Sequence, residues 1–111
     1  MDIYFRDQKL GRLCNDKKLL EKKMGADSAR RIQRRLDDLR AAHCLEDMRH
    51  LPGRTHELTG NLAGYLSIDL VHPYRLLFIP YNDPLPTKSD GGIDWNEVTA
   101  IEIVEIRDTH E

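Results

Sequence analysis

The sequence predicts an α+β domain: an N-terminal strand and helices packed on one face of a mainly antiparallel, twisted sheet. Three observations predict it. Apolar residues recur near every fourth position up to Gly53 and at every second position after it. The first half is punctuated by helix stops, Gly25 and then Pro52-Gly53. The second half is cut into strand-length pieces by "GNLAG", by His72-Pro73 and by "NDPLPTKSDGGIDWN". A chain of 111 residues can hold one core without staples, so residues 1–111 read as a single domain.

Taken in order, "MDIYF" is a short strand with Ile3 and Phe5 on one side and Tyr4 on the other. "QKLGRLC" reads as a helical turn interrupted by Gly11, and "NDKKLLEKKMG" as a helix capped by Asn15 or Asp16 and stopped by Gly25. The clearest helix is "ADSARRIQRRLDDLRAAHC". Ala29, Ile32, Leu36, Leu39 and His43 form one stripe at the helical period, with Asp27 or Ser28 as the N-cap. Arg30, Arg31, Arg34 and Arg35 fall off that stripe, on the wet side. "LEDMRHLPG" adds one more turn. "THELT" and "GYLSIDLV" pair through "GNLAG", and "YRLLFIPY" follows the His72-Pro73 reversal. "VTAIEIVEIRD" is apolar on both parities, as a strand with neighbours on both sides should be.

Composition narrows the function classes. Charged residues at 32% beside 40% hydrophobic ones exclude a disordered chain, and the longest apolar runs are too short to cross a membrane. No apolar leader follows Met1, and Cys14 and Cys44 lack metal-ligand spacing, so both read as buried reduced thiols in a cytoplasmic protein. The net charge of −2 hides a split: residues 1–55 carry 14 Lys and Arg against 9 Asp and Glu, residues 56–111 carry 3 against 10. Two readings of the basic half stand, a face for an anionic partner and a solvated helical surface. In the first, Arg30, Arg31, Arg34, Arg35, Lys22 and Lys23 are the candidate residues for binding that anionic partner.

Metal and nucleotide chemistry find no footing. There is no CxxC, HxH, HxxxH or HExxH spacing, no glycine-rich phosphate loop and no nucleophile elbow. Of the histidines, His43 reads as a packing residue, His50 as a helix-end cation and His72 as a turn residue. His56 and His110 lie at strand edges among polar groups, with no apolar pattern to account for them. What remains is metal-free acid–base chemistry by histidine, carboxylate and arginine.

"HELTGNLAGYLSIDL", "HPYRLLF" and "EIRDTHE" together resemble the RelE/ParE superfamily of bacterial toxins, with the HigB plasmid-maintenance killer proteins as the nearest branch. The resemblance implies a RelE-like toxin fold and a ribosome-dependent mRNA endoribonuclease, in which the ribose 2′-OH attacks the adjacent phosphate. It implies no cofactor, and it makes RNA the anionic partner of the candidate arginines and lysines. Carried over by motif, His56 and His110 are the acid–base pair with their direction open, Arg75 holds the phosphate, and Asp108 orients His110 or an RNA hydroxyl. Thr59 and Thr109 depart from the lysine and tyrosine of the family pattern. The implied partners are a HigA-like helix-turn-helix antitoxin, the ribosome and mRNA, with operator DNA reached only through the antitoxin and no membrane. The alternatives are a ParE-like toxin acting on DNA gyrase without catalysis, and a catalytically decayed toxin that serves as an antitoxin-binding co-regulator.

Overall fold

The computed structural model describes residues 1–109. The element order is β1 (Asp2–Phe5), α1 (Gln8–Asn15), α2 (Lys17–Met24), α3 (Ala26–Ala41), β2 (His56–Glu57), β3 (Leu66–Asp69), β4 (Tyr74–Pro80) and β5 (Ala100–Asp108). Short 3-10 turns cover Leu45–Met48, Gly60–Leu62 and Trp95–Glu97. The sheet order is β1-β5-β4-β3-β2, with β1 parallel to β5 and every other pair antiparallel. The α+β class and the helix-on-sheet layering therefore stand as the sequence predicts them.

The core lies between the helices and one sheet face. Ile32, Leu36 and Leu39 of α3 and Leu20 of α2 are fully buried with Leu66, Ile68, Leu76, Phe78, Ile101 and Ile103 of the sheet. Each such side chain contributes about 1.5–3 kcal/mol relative to exposure.

Local chemistry sets the helix ends. The Asp7 carboxylate accepts from the Leu10 amide at 2.7 Å and Asp16 accepts from Leu19 at 3.1 Å, so "QKLGRLC" is a full capped helix and not a stray turn. A Cβ at Gly11 would meet Phe5 at 3.5 Å, an ordinary contact, so the packing of α1 on β1 does not itself require the glycine. Gly25 ends α2 and serves directly as the N-cap of α3, so neither Asp27 nor Ser28 is the cap.

Three further expectations are corrected. His43 is exposed, because α3 ends at Ala41 before its stripe reaches the histidine. Arg35 is buried at 7% exposure, not on the wet side. Cys14 is buried as expected, whereas Cys44 is only half-buried at the start of the Leu45–Met48 turn. β5 has both neighbours the sequence asks for, but its pairing with β4 shifts register between Leu77 and Phe78, where Val104 is the extra residue. A bulge of this kind inverts the in-out alternation of the residues after it.

Candidate functional site

Alternation along β4 divides the sheet. Leu76 and Phe78 enter the core, so Arg75, Leu77 and Ile79 belong to the face that the helices leave uncovered. The register extends that face across the strands. His56 pairs with Ser67, Ser67 with Leu77, and Leu77 with Glu105. One row along, Asp69 pairs with Arg75 and Arg75 with Arg107. His56 and Arg75 thus share the helix-free face, two strands and one pleat apart, or about 12 Å between Cα atoms from standard sheet spacings.

Asp108 falls elsewhere in the register. It pairs with Tyr74, on the parity of Leu76, while Arg107 takes the place opposite Arg75. The end of β5 is held by Thr109, whose amide and hydroxyl both donate to the Pro73 carbonyl, at 3.0 and 2.7 Å. His110 lies outside the described residues.

The charges on this face are paired across and along strands. The Arg54 Nε donates to Asp69 Oδ2 at 3.1 Å, and the Arg75 Nε lies 3.9 Å from Asp69 Oδ1. Arg107 pairs with Glu105 at 2.9 Å, and Arg6 with Glu102 at 2.9 Å. The Tyr65 phenol, and after it Glu102, hold Arg6 more firmly in its charged form. Tyr65 precedes β3 and Arg6 follows β1, so these two side chains together bridge β4 and β5. His56 Nδ1 sits 2.7 Å from the Arg54 carbonyl oxygen. A carbonyl can only accept, so the neutral ring carries its proton on Nδ1 and leaves the Nε2 lone pair available.

The hairpin carrying His56 is anchored from below. Trp95 is buried, donates from Nε1 to Glu57 Oε2 at 3.0 Å, and lies under the Arg49 guanidinium at 4.0 Å. The tryptophan therefore ties the long "NDPLPTKSDGGIDWN" loop to β2.

The candidate RNA-binding cations separate into two groups. Arg30, Arg31, Arg34, Lys22 and Lys23 are exposed on the helical layer, the opposite layer from His56 and Arg75. Arg35 instead turns inward, donating to the Asp69 carbonyl at 3.4 Å and lying 3.8 Å from Asp38. Burial first, then the Arg31 charge, lowers its pKa from the ordinary arginine value.

No protein-family model matches the sequence, and no curated protein matches it. Solved structures do. A YoeB/ParE toxin from Agrobacterium tumefaciens superposes with a TM-score of 0.59 at 12% identity, covering 96% of each chain. The YoeB dimer from Staphylococcus aureus gives 0.55 at 20% identity, covering 96% of this chain and 94% of that one. A YoeB–YefM complex from the same organism gives 0.55 at 17%, with the same coverage. The chain has the YoeB/ParE toxin fold. At these identities the likeness is one of architecture, and it extends over nearly the whole chain.

Within this toxin fold the helix-free face holds groups that motif reading passes over: Arg54, Tyr65, Asp69, Glu105 and Arg107. Arg54 and Asp69 are 15 residues apart and meet only through the β2–β3 pairing. One local signal marks the spot. Gly53 and Arg54 are consecutive residues with positive φ, 111° and 53°, and Arg54 is the only non-glycine of that kind among the described residues.

Proposed function

We propose that this chain is the toxin of a toxin–antitoxin pair and that it acts as a metal-independent, ribosome-dependent mRNA endoribonuclease of the HigB-like branch. The observation that carries the reading is the pairing register: it sets a histidine with an available Nε2 and a fork-forming arginine on the same helix-free sheet face. The toxin architecture of the solved relatives supports it. Residues 1–111 then form one toxin domain working in the cytoplasm, where ribosomes are.

In this mechanism the His56 Nε2 takes the proton of the ribose 2′-OH, a task suited to an imidazole nitrogen with a free lone pair. The oxygen attacks the adjacent phosphorus, and Arg75 steadies the phosphorane charge with two nitrogens. The bond to the 5′-oxygen breaks, and His110 returns a proton to that leaving group, with Asp108 as the orienting carboxylate. These last two roles rest on the motif resemblance. The exposed cations Arg30, Arg31, Arg34, Lys22 and Lys23 bind ribosomal or messenger phosphates from the helical layer. Arg35, being buried, is withdrawn from that set.

One similar solved structure is a heterotetrameric complex of the YoeB–YefM toxin–antitoxin from Staphylococcus aureus, at a TM-score of 0.54 and 18% identity, covering 96% of this chain and 94% of that one. It supports a small antitoxin as partner here, which the sequence resemblance makes a HigA-like helix-turn-helix protein carrying operator binding. The test is growth arrest on induced expression. Arrest is expected from the wild-type chain and its loss from Arg75→Ala or His56→Ala variants that still fold. Arrest at full strength from both variants would point to gyrase or another non-catalytic target.

A further inference from the structure

We infer that Arg54 and Arg75 form a two-arginine clamp for a single RNA phosphate, with Asp69 as the carboxylate that holds both guanidiniums ready. This inference deepens the proposed function by naming a phosphate ligand that no sequence motif marks. Its basis is the trio itself. One carboxylate lies between two arginines, its Oδ2 taking Arg54 Nε at 3.1 Å and its Oδ1 facing Arg75 Nε at 3.9 Å. In both contacts the carboxylate meets the Nε of the guanidinium, and the terminal nitrogens are the part of the fork that recognises a phosphate. The side chains of Arg54, Asp69 and Arg75 are 67%, 37% and 37% exposed, so an incoming strand can reach them. Two positive charges against one negative leave the trio net cationic.

The position of Arg54 is fixed by the backbone. Gly53 has φ +111°, and a Cβ there would lie 2.6 Å from Ile68 Cγ1 and 2.9 Å from Arg35 Nε. The Asp69 amide donates to the Gly53 carbonyl at 2.7 Å, and buried Arg35 donates to the Asp69 carbonyl. A strut therefore runs from α3 through Arg35 to the backbones of Asp69 and Gly53, and it holds Arg54 in its left-handed conformation. The Arg54 carbonyl in turn sets the His56 tautomer. Phosphate binding and proton transfer are thereby referred to one rigid corner of the sheet.

The experiment is equilibrium binding of a short, fully 2′-O-methylated single-stranded RNA across a salt series. This probe cannot be cleaved by 2′-OH attack, so binding is read whether or not the protein is a nuclease. Arg54→Asn keeps a residue tolerant of positive φ while deleting the guanidinium. It is expected to lose about tenfold in affinity and to flatten the logarithmic salt slope by about 0.7, one phosphate contact. Arg54→Lys is expected to keep the slope but lose part of the affinity. Asp69→Asn keeps a side-chain carbonyl oxygen that can still accept from a guanidinium while removing the negative charge beside the phosphate, and is expected to bind the probe severalfold more tightly. Wild-type affinity and slope in Arg54→Asn, with an unchanged melting temperature, would overturn the clamp. If wild-type protein arrests no growth and cuts no RNA, the nuclease reading falls, while an Arg54-dependent affinity for the probe still establishes the clamp.

Discussion

At the scale of residues, burial separates groups that look alike in the sequence. Cys14 is enclosed by the core, and that burial pushes its thiol pKa up to about 11, against a weaker opposing pull from Arg40. A raised thiol pKa means the neutral form dominates well above physiological pH, so Cys14 is inert as a nucleophile. Alkylation at pH 8, followed by mass spectrometry, is expected to label half-buried Cys44 and spare Cys14 until the chain unfolds. Equal labelling of both would contradict the packing of α1. Ser67 is a second case. Its hydroxyl is buried between His56 and Leu77 in the cross-strand row and has no hydrogen-bond partner among the described residues. Ser67→Ala is expected to stabilise by about 1 kcal/mol in denaturant unfolding, since an unsatisfied polar atom is removed and little volume is lost. A loss of that size would show that the hydroxyl is bonded in solution.

At the scale of elements, the β2 hairpin is the piece whose geometry matters most, and two anchors fix it. Gly53 occupies a left-handed conformation against Ile68 and Arg35. Gly53→Ala combines backbone strain with a forced contact, and about 2–4 kcal/mol of destabilisation is expected. No measurable change would mean that the Arg35 strut yields easily. The other anchor is Trp95 beneath Glu57. Trp95→Phe deletes that hydrogen bond and weakens the Arg49 stacking, at an expected cost of about 1–2 kcal/mol. The account requires that stability fall in Trp95→Phe while Arg54-dependent RNA binding persists. The same elements show where sequence periodicity succeeds. The α3 stripe was legible because Ala29, Ile32, Leu36 and Leu39 repeat at the helical period and all four are buried. Arg35 was not legible, because a long stem can carry its charge inward to a backbone carbonyl without disturbing the pattern. The bulge at Val104 was equally silent. It reverses the alternation within β5, and so brings Arg107, not Ile106, opposite Arg75.

At the scale of the whole molecule, the chain is a toxin-type sheet with helices on one face and a charged, arginine-rich surface on the other. Four of its surface cations, Arg6, Arg54, Arg75 and Arg107, are matched by nearby carboxylates. This pairing lets a protein with net charge −2 carry several guanidinium groups on one face without a strongly positive surface. The sheet order follows from short connections among β2, β3 and β4. The parallel placement of β1 beside β5 joins the two ends of the sequence and had no local signal. For the proposed site, motif reading supplied His56, Arg75, Asp108 and His110, and the fold adds Arg54 and Asp69 as candidates. Arg54 offers a cation just before β2, while Thr59, just after it, stands where the family it resembles has a lysine.

The most direct measurement is primer extension on an mRNA programmed into ribosomes, with wild-type and Arg75→Ala proteins, beside the same mRNA free of ribosomes. New breaks at A-site codons are expected only with ribosomes and only from the wild-type protein. Identical breaks from Arg75→Ala, or no breaks at all from a folded protein that still arrests growth, would contradict the claim that this sheet face cuts translated mRNA.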